Sequence, residues 1–292
     1  MNKQLVRGGI GVIVSSVALY AENAGLYIGR AINTVIPCVQ DPSNSAPCFV
    51  VYDAVAMFAL FLIGLLSTFA AFYGIWTAIR RMPFRFRKAD PREHAPHFVA
   101  LEVLVLFLCP IASLFFGIIP MEYRLTVIGA AGVATVVIAL YRGWSPHQLG
   151  MRLDNFRKGF ASYAIFTFAS GAVLYASASA LHMETMPWPE IPWVLLLFIP
   201  ISFAQEFMYR SFLMRELARV FASPAIVILA NAALFALLHV IYGDPLVVLP
   251  ITFIGGMGLA LLYREYPNLW LASGSHAVLN FIGVFCNYFL IR

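Results

Sequence analysis

The stretch AQEFMYRSFL, residues 204–213, places two opposite charges in a segment that otherwise looks like a membrane-spanning helix. Glu206 and Arg210 are four residues apart, so they share one helical face and can neutralise each other. Charged side chains inside spans cost roughly 2.5–3.5 kcal/mol each on insertion scales and usually have a function. The pair alone fits either an ion pair that fixes helix packing or the polar site of a channel, transporter or enzyme.

Two later apolar segments add the groups that peptide hydrolysis needs. FALLH puts Phe235 and His239 on one stripe, and HAVLN does the same for His276 and Asn280. A lone histidine in an apolar helix is more often a packing residue than a catalyst. A carboxylate, two imidazoles and a carboxamide on three helices can together activate a water and stabilise an oxyanion. The sequence contains no HExxH zinc motif and no aspartyl GxGD motif.

The composition indicates which elements must position these groups. The 292 residues are 61% hydrophobic and 11% charged, with a mean hydropathy of +0.83, whereas soluble domains are about 25% charged. The net charge of +5 is modest, and basic residues in such a chain report topology rather than a nucleic-acid partner. We predict an all-α polytopic membrane protein with eight or nine transmembrane helices and a helical-bundle catalytic core.

A helix needs about 20 apolar residues to cross the hydrocarbon core. That rule predicts spans near 8–37, 50–78, 97–119, 125–141, 159–181, 192–213, 223–242, 246–263 and 270–290. AENAG interrupts the first span, and an interfacial first helix would reduce the count to eight. Loops 80–93 and 142–159 carry six and four Lys or Arg residues, which places both loops and the N-terminus in the cytoplasm. The opposite side would hold Cys38 and Cys48, for which a disulfide stays open.

The order and spacing of the three polar motifs resemble the CPBP family of intramembrane endopeptidases, which includes the CAAX prenyl endopeptidases. The family pattern is EExxxR, then FxxxH, then HxxxN, and this chain has QEFMYR (205–210), FALLH (235–239) and HAVLN (276–280). The resemblance extends over roughly 140–290. It implies N-terminal transmembrane helices with a basic loop over 1–140 and a protease core over 141–292.

The resemblance also implies a role for each matching residue. His239 corresponds to the water-activating histidine, and His276 and Asn280 correspond to the oxyanion groups. Glu206 and Arg210 match a supporting pair, with Phe235 as a further supporting residue. Gln205 departs from the pattern, because the family has its general base there and an amide accepts no proton at neutral pH.

Three explanations of Gln205 stay open. Glu206 is the base, although neighbouring residues point about 100° apart and the helix would have to shift. Alternatively, the chain is a catalytically silent binding or scaffold protein, or the amide is an introduced change.

The implied partners are the lipid bilayer and a membrane-associated protein or peptide, in a bacterial plasma (inner) membrane and without nucleic acid. No metal is favoured, because asparagine is a poor zinc ligand and a good oxyanion donor. Zinc held by Glu206, His239 and His276 is the alternative. A transporter lacks support, because no inverted repeat is evident.

The predicted spans leave one conflict between the two histidines. By these boundaries His276 lies near the cytoplasmic end of its span and His239 near the outer end of its own. A shared site therefore requires strongly tilted helices or a seventh span that starts deeper. Elsewhere, Glu102 is interpreted as a packing carboxylate, and the glycines at 255, 256 and 258 are expected to permit close helix packing.

Overall fold

A computed structural model describes residues 73–74, 96–183, 191–242 and 244–288, with the backbone alone for 191–197. The predicted span at 8–37, most of the span at 50–78, the segment between Cys38 and Cys48 and the basic loop 80–93 lie outside the described residues. The described part is helical throughout its regular structure and contains no β-strand. The predicted all-α class is confirmed.

Seven helices are described. Three of them consist of consecutive segments that differ in helical type: α1 is Pro96–Phe115, α2 is Met121–Tyr141, and α4 runs through Ile191–Glu206, Phe207–Leu213 and Met214–Val220. The other four are α3 Phe156–Ala180, α5 Pro224–Leu238, α6 Pro245–Glu265 and α7 Leu269–Phe285. The seventh predicted span, 223–242, is thus a shorter helix than expected, with His239 as its C-terminal cap.

Four helices of the described part are long and apolar enough to cross a membrane: α1, α2, α3 and α6. Helices α5 and α7 are apolar but shorter. Because the first two predicted spans fall largely outside the described residues, the count of eight or nine spans stays a prediction.

The chain divides into two compact units. The first comprises 1–82 and 185–200, and of it only 73–74 and the first part of α4 are described. The second comprises 83–184 and 201–292 and contains every predicted site residue. Within the second unit, α5 packs along α6, and α7 packs along α3.

Local capping fixes where the site-bearing helices begin. Proline occupies the first turn of α5 and of α6, where its missing N–H costs nothing. Asn268 caps α7, because its Oδ1 accepts from the backbone N–H groups of Trp270 and Leu271 at 3.1 Å each. The Nδ2 of Asn268 also donates to the Arg152 carbonyl at 2.9 Å. The loop after α2 therefore holds the start of the helix that carries His276.

The same loop is joined to α4 and α6. Ser211 Oγ and the Tyr263 hydroxyl both donate to the Leu149 carbonyl, at 2.7 and 3.0 Å. On its exposed side, hydrogen bonding from Arg152 lowers the pKa of the Asp154 carboxyl to about 2. That ion pair therefore stays charged over the physiological pH range.

A buried ionic group, called here the arginine cluster, links α1, the loop after α2 and the last segment of α4. Its members are Glu102, Arg142, Trp144, Glu216 and Arg219. Arg142 contacts Glu102 Oε1 at 2.5 Å and Glu216 Oε1 at 2.6 Å, and Arg219 reaches Glu216 at 3.2 Å. The guanidinium groups of Arg142 and Arg219 lie 5.6 and 5.0 Å from the Trp144 ring centroid. Glu102 was interpreted from the sequence as a snorkelling or packing carboxylate, and the structure adds its contact with Arg142.

Candidate active site

Glu206 lies fully buried at the end of the first segment of α4. Its Oε2 is 3.3 Å from Nε of Arg210, so the contact that the i, i+4 spacing predicted is present. Its Oε1 is 2.8 Å from Nδ1 of His276, at angles that depart from a linear hydrogen bond. The sequence did not predict this second contact. Both oxygens of the carboxylate are therefore engaged.

Arg210 has a partner on each side of its guanidinium group. Nη1 donates to Asn231 Oδ1 at 3.2 Å, and Nη2 donates to the Gly256 carbonyl at 3.3 Å. The group also lies 4.5 Å from the centroid of the Phe235 ring, a cation–π distance. Arg210 thus ties α4 to α5 and α6 and has no role as a free cation.

The segment of α4 that carries Arg210, Phe207–Leu213, is a π-helix with seven buried side chains. In it the N–H of Met214 reaches the carbonyl of Tyr209, five residues earlier. That carbonyl also accepts from Asn231 Nδ2 at 2.7 Å. The wider turn is therefore anchored to α5. Such turns occur frequently at functional sites.

The ring of Phe235 brings the two predicted histidines together. Its centroid lies 4.9 Å from the imidazole of His239 and 5.2 Å from that of His276. Nδ1 of His239 is 2.9 Å from the Phe235 carbonyl oxygen. The predicted conflict does not keep the histidines apart, because the C-terminal end of α5 lies beside the middle of α7. We call Glu206, Arg210, Phe235, His239 and His276 the histidine cluster.

Asn280 follows His276 by one turn of α7. Its Nδ2 donates to Ser202 Oγ at 3.1 Å, and both side chains are buried. Sequence reasoning missed Ser202. Ser202 and Glu206 have the same four-residue spacing as Asn280 and His276, the residues they contact, but the spacing alone does not tell which two helices meet.

Gln205, at the family's usual general-base position, has an exposed fraction of 9%. Its Oε1 is buried and has no hydrogen-bond partner among the described residues. The hydroxyl of Ser273, three residues before His276, is also buried without a hydrogen-bond partner among the described residues. Buried polar atoms in native proteins are almost always paired, so the amide oxygen beside Glu206 is an exception among the described residues.

The described ranges contain no group of three or more His, Cys, Asp or Glu side chains that could hold a metal ion. In the set named for the zinc alternative, the Glu206 carboxylate is turned toward Arg210 and His276. The residues as placed do not form a zinc site.

The helices and the buried polar site define an integral membrane protein. Residues 187–282 match the family model described as Rce1-like, type II CAAX prenyl endopeptidase. The matched residues include all the predicted site residues, and the resemblance to CPBP endopeptidases is confirmed. The match supports a protease-type function. No curated protein and no solved structure matches the chain significantly.

Proposed function

We propose that the chain is an intramembrane endopeptidase of a bacterial plasma (inner) membrane, with its N-terminus in the cytoplasm. It would cut a membrane-associated protein or peptide near a membrane face. The observation that carries the proposal is the convergence of His239 and His276 on the ring of Phe235. The family match over the same residues supports peptide hydrolysis as the reaction.

His239 is the group proposed to activate the water. Its Nδ1 lies 2.9 Å from the Phe235 carbonyl oxygen, which only accepts, so Nδ1 carries the hydrogen and Nε2 is the basic nitrogen. Nε2 takes a proton from the water as the water oxygen attacks the peptide carbonyl carbon. The same nitrogen then gives that proton to the departing amine.

Asn280 and His276 are the groups proposed to stabilise the oxyanion. One Nδ2 hydrogen of Asn280 goes to Ser202, and the second remains to donate to the developing negative charge. Nδ1 of His276 faces Glu206, which leaves Nε2 as the nitrogen that can face the oxyanion. Removing one such donor typically lowers kcat by about 10²–10³.

Gln205 limits the rate in this proposal, because the family pattern has a glutamate there that shares water activation with the histidine, and this chain leaves that task to His239 alone. Its amide oxygen can hold the water but cannot take its proton at neutral pH. Glu206 is held by Arg210 and His276 and supports the helix instead of acting as the base. The chain as written is therefore expected to be a slow enzyme. The same observation favours the second candidate function, a silent CPBP-fold binding or scaffold protein.

The proposed reaction uses no metal ion. The zinc alternative requires Glu206, His239 and His276 to turn toward one point, which would remove the carboxylate from Arg210 and leave a buried cation unpaired. Asn280 suits an oxyanion donor better than a ligand. A chelator is therefore expected to leave cleavage unchanged, whereas loss of cleavage that added zinc restores would support the alternative.

The experiment is cleavage by the reconstituted full chain and by its Gln205→Glu variant. The substrates are a prenylated CAAX peptide, the same peptide without the prenyl group and a membrane-anchored peptide, with cleavage sites read by mass spectrometry. Asn280→Ala in the Gln205→Glu background is the control that separates this site from a contaminating protease. Cleavage that depends on Asn280 supports the endopeptidase. Binding of a substrate without cleavage by either chain supports the scaffold.

A further inference from the structure

The ring of Phe235 is enclosed by side chains whose positions matter to the proposed reaction. Four groups lie around it at 4.5–5.3 Å from its centroid: Tyr209, Arg210, His239 and His276. Gly256 of α6 also lies against the ring. A Cβ atom added to Gly256 would be 2.8 Å from Phe235 Cδ1, closer than real Cβ contacts.

We propose that Gly256 is a positioning residue for the two histidines, an inference that rests on the proposed endopeptidase function. It acts through two contacts. The missing side chain lets the Phe235 ring lie directly against the backbone of α6. Its carbonyl oxygen accepts a hydrogen bond from Arg210 Nη2 at 3.3 Å, which fixes the cation that pairs with Glu206.

The neighbouring glycines show that this role is specific to one position. A Cβ atom at Gly255 would meet nothing within 4 Å. One at Gly258 would clash with Phe166 of α3, which is not among the residues of the histidine cluster. The three glycines therefore differ in their surroundings. Gly255 faces open space, Gly258 allows α6 to pack against α3, and Gly256 allows the Phe235 ring to lie against α6.

A methyl group at residue 256 would lie too close to the ring of Phe235. Other groups surround that ring, so a displacement of the ring passes to the imidazoles that contact it. A misplacement of about 1 Å in a catalytic group can lower a rate by about 10²-fold.

The test compares Gly256→Ala, Gly255→Ala and Gly258→Ala in the full chain, with isotope-labelled histidine followed by NMR. The signals of His239 and His276 are assigned with His239→Asn and His276→Asn variants. We expect both signals to shift in Gly256→Ala alone. Gly258→Ala should lower Tm without moving them, and Gly255→Ala should change neither. Unshifted signals in Gly256→Ala, or equal shifts in Gly258→Ala, would overturn the proposal.

A kinetic measurement in the Gln205→Glu background completes the test. Gly256→Ala should lower kcat by about 10²-fold with KM nearly unchanged, because substrate contacts persist while the reacting groups move. An unchanged kcat overturns the positioning role. If none of the chains cleaves a substrate, the endopeptidase proposal fails, and the imidazole signals alone decide whether Gly256 positions the histidines.

A second variant covers the case in which Gly256→Ala does not fold. Phe235→Val removes the ring that the added methyl group would strike. The Phe235→Val/Gly256→Ala chain should therefore fold with a Tm no lower than that of Phe235→Val alone. A fall in Tm on adding Gly256→Ala to Phe235→Val would overturn the proposal, because the clash would then not involve the ring.

Discussion

Helix α4 contributes a buried carboxylate to each of two ionic clusters, and the two carboxylates have different partners. In the arginine cluster, Arg142 meets both Glu102 and Glu216, and the side chains of Arg142 and Glu216 are 5% and 1% exposed. In the histidine cluster, Glu206 meets one arginine and one imidazole. Next to Glu206 stands Gln205, whose buried oxygen has no partner in the part of the chain that the structure describes.

The difference separates charges that hold helices together from charges that the proposed reaction uses. In the arginine cluster each carboxylate contacts at least one guanidinium group, and these ion pairs connect α1, α4 and the loop between α2 and α3. An imidazole can accept a proton at one ring nitrogen and donate one from the other, and the two imidazoles lie where Glu206 and Phe235 fix their orientation. Only the histidine cluster is equipped for proton transfer.

The largest expected effect is on catalysis. His239→Asn in the Gln205→Glu background should lower kcat by about 10²–10⁴-fold, the usual contribution of a positioned general base. Its Tm should change little compared with variants that break an ion pair. The measurement is steady-state cleavage beside a thermal melt. If kcat stays within threefold of that of the Gln205→Glu chain, His239 does not activate the water.

The next effect contrasts the two clusters directly. Arg142→Leu and Arg210→Leu should each destabilise the fold by about 3–5 kcal/mol, because a buried carboxylate loses one of its cationic partners. The folded fraction of Arg142→Leu should keep its kcat, whereas that of Arg210→Leu should lose most of it, since Glu206 then no longer holds His276 in place. Denaturation and active-site titration measure both quantities. Equal losses of kcat in Arg142→Leu and Arg210→Leu would contradict the proposed difference between the two clusters.

The smallest effect concerns Ser202. Ser202→Ala should lower kcat about tenfold with KM unchanged, because Asn280 loses the hydrogen bond that orients its carboxamide, worth about 1–1.5 kcal/mol. Ser202→Thr keeps the hydroxyl and should restore most of the rate. In an Asn280→Ala background, Ser202→Ala should have no further effect, and additive losses would contradict the proposed coupling.

The spacing of residues along the sequence was enough to predict contacts within a single helix. The i, i+4 contact between Glu206 and Arg210 and the burial of both followed from the sequence. The approach of His239 and His276 to the same ring did not follow from span boundaries, because it depends on how α5 and α7 pack.

The tertiary partners were beyond sequence reasoning for a different reason. The contacts of Ser202 with Asn280 and of Gly256 with Phe235 depend on how helices cross, and single apolar stripes carry no information on crossing. The roles of the site residues and the boundary at 140–141 between an N-terminal region and a protease core stay predictions.

The central claim is that Gln205 occupies the position of the base and that Glu206 supports the helix. The most direct measurement compares kcat/KM on one substrate for the chain as written, for Gln205→Glu and for Gln205→Glu/Glu206→Gln. The account predicts that Gln205→Glu raises cleavage by about 10²-fold or more. It also predicts that adding Glu206→Gln mainly lowers Tm. Two results together would contradict the account. The unchanged chain would cleave as well as its Gln205→Glu variant, and Glu206→Gln alone would abolish cleavage while the fold stays intact.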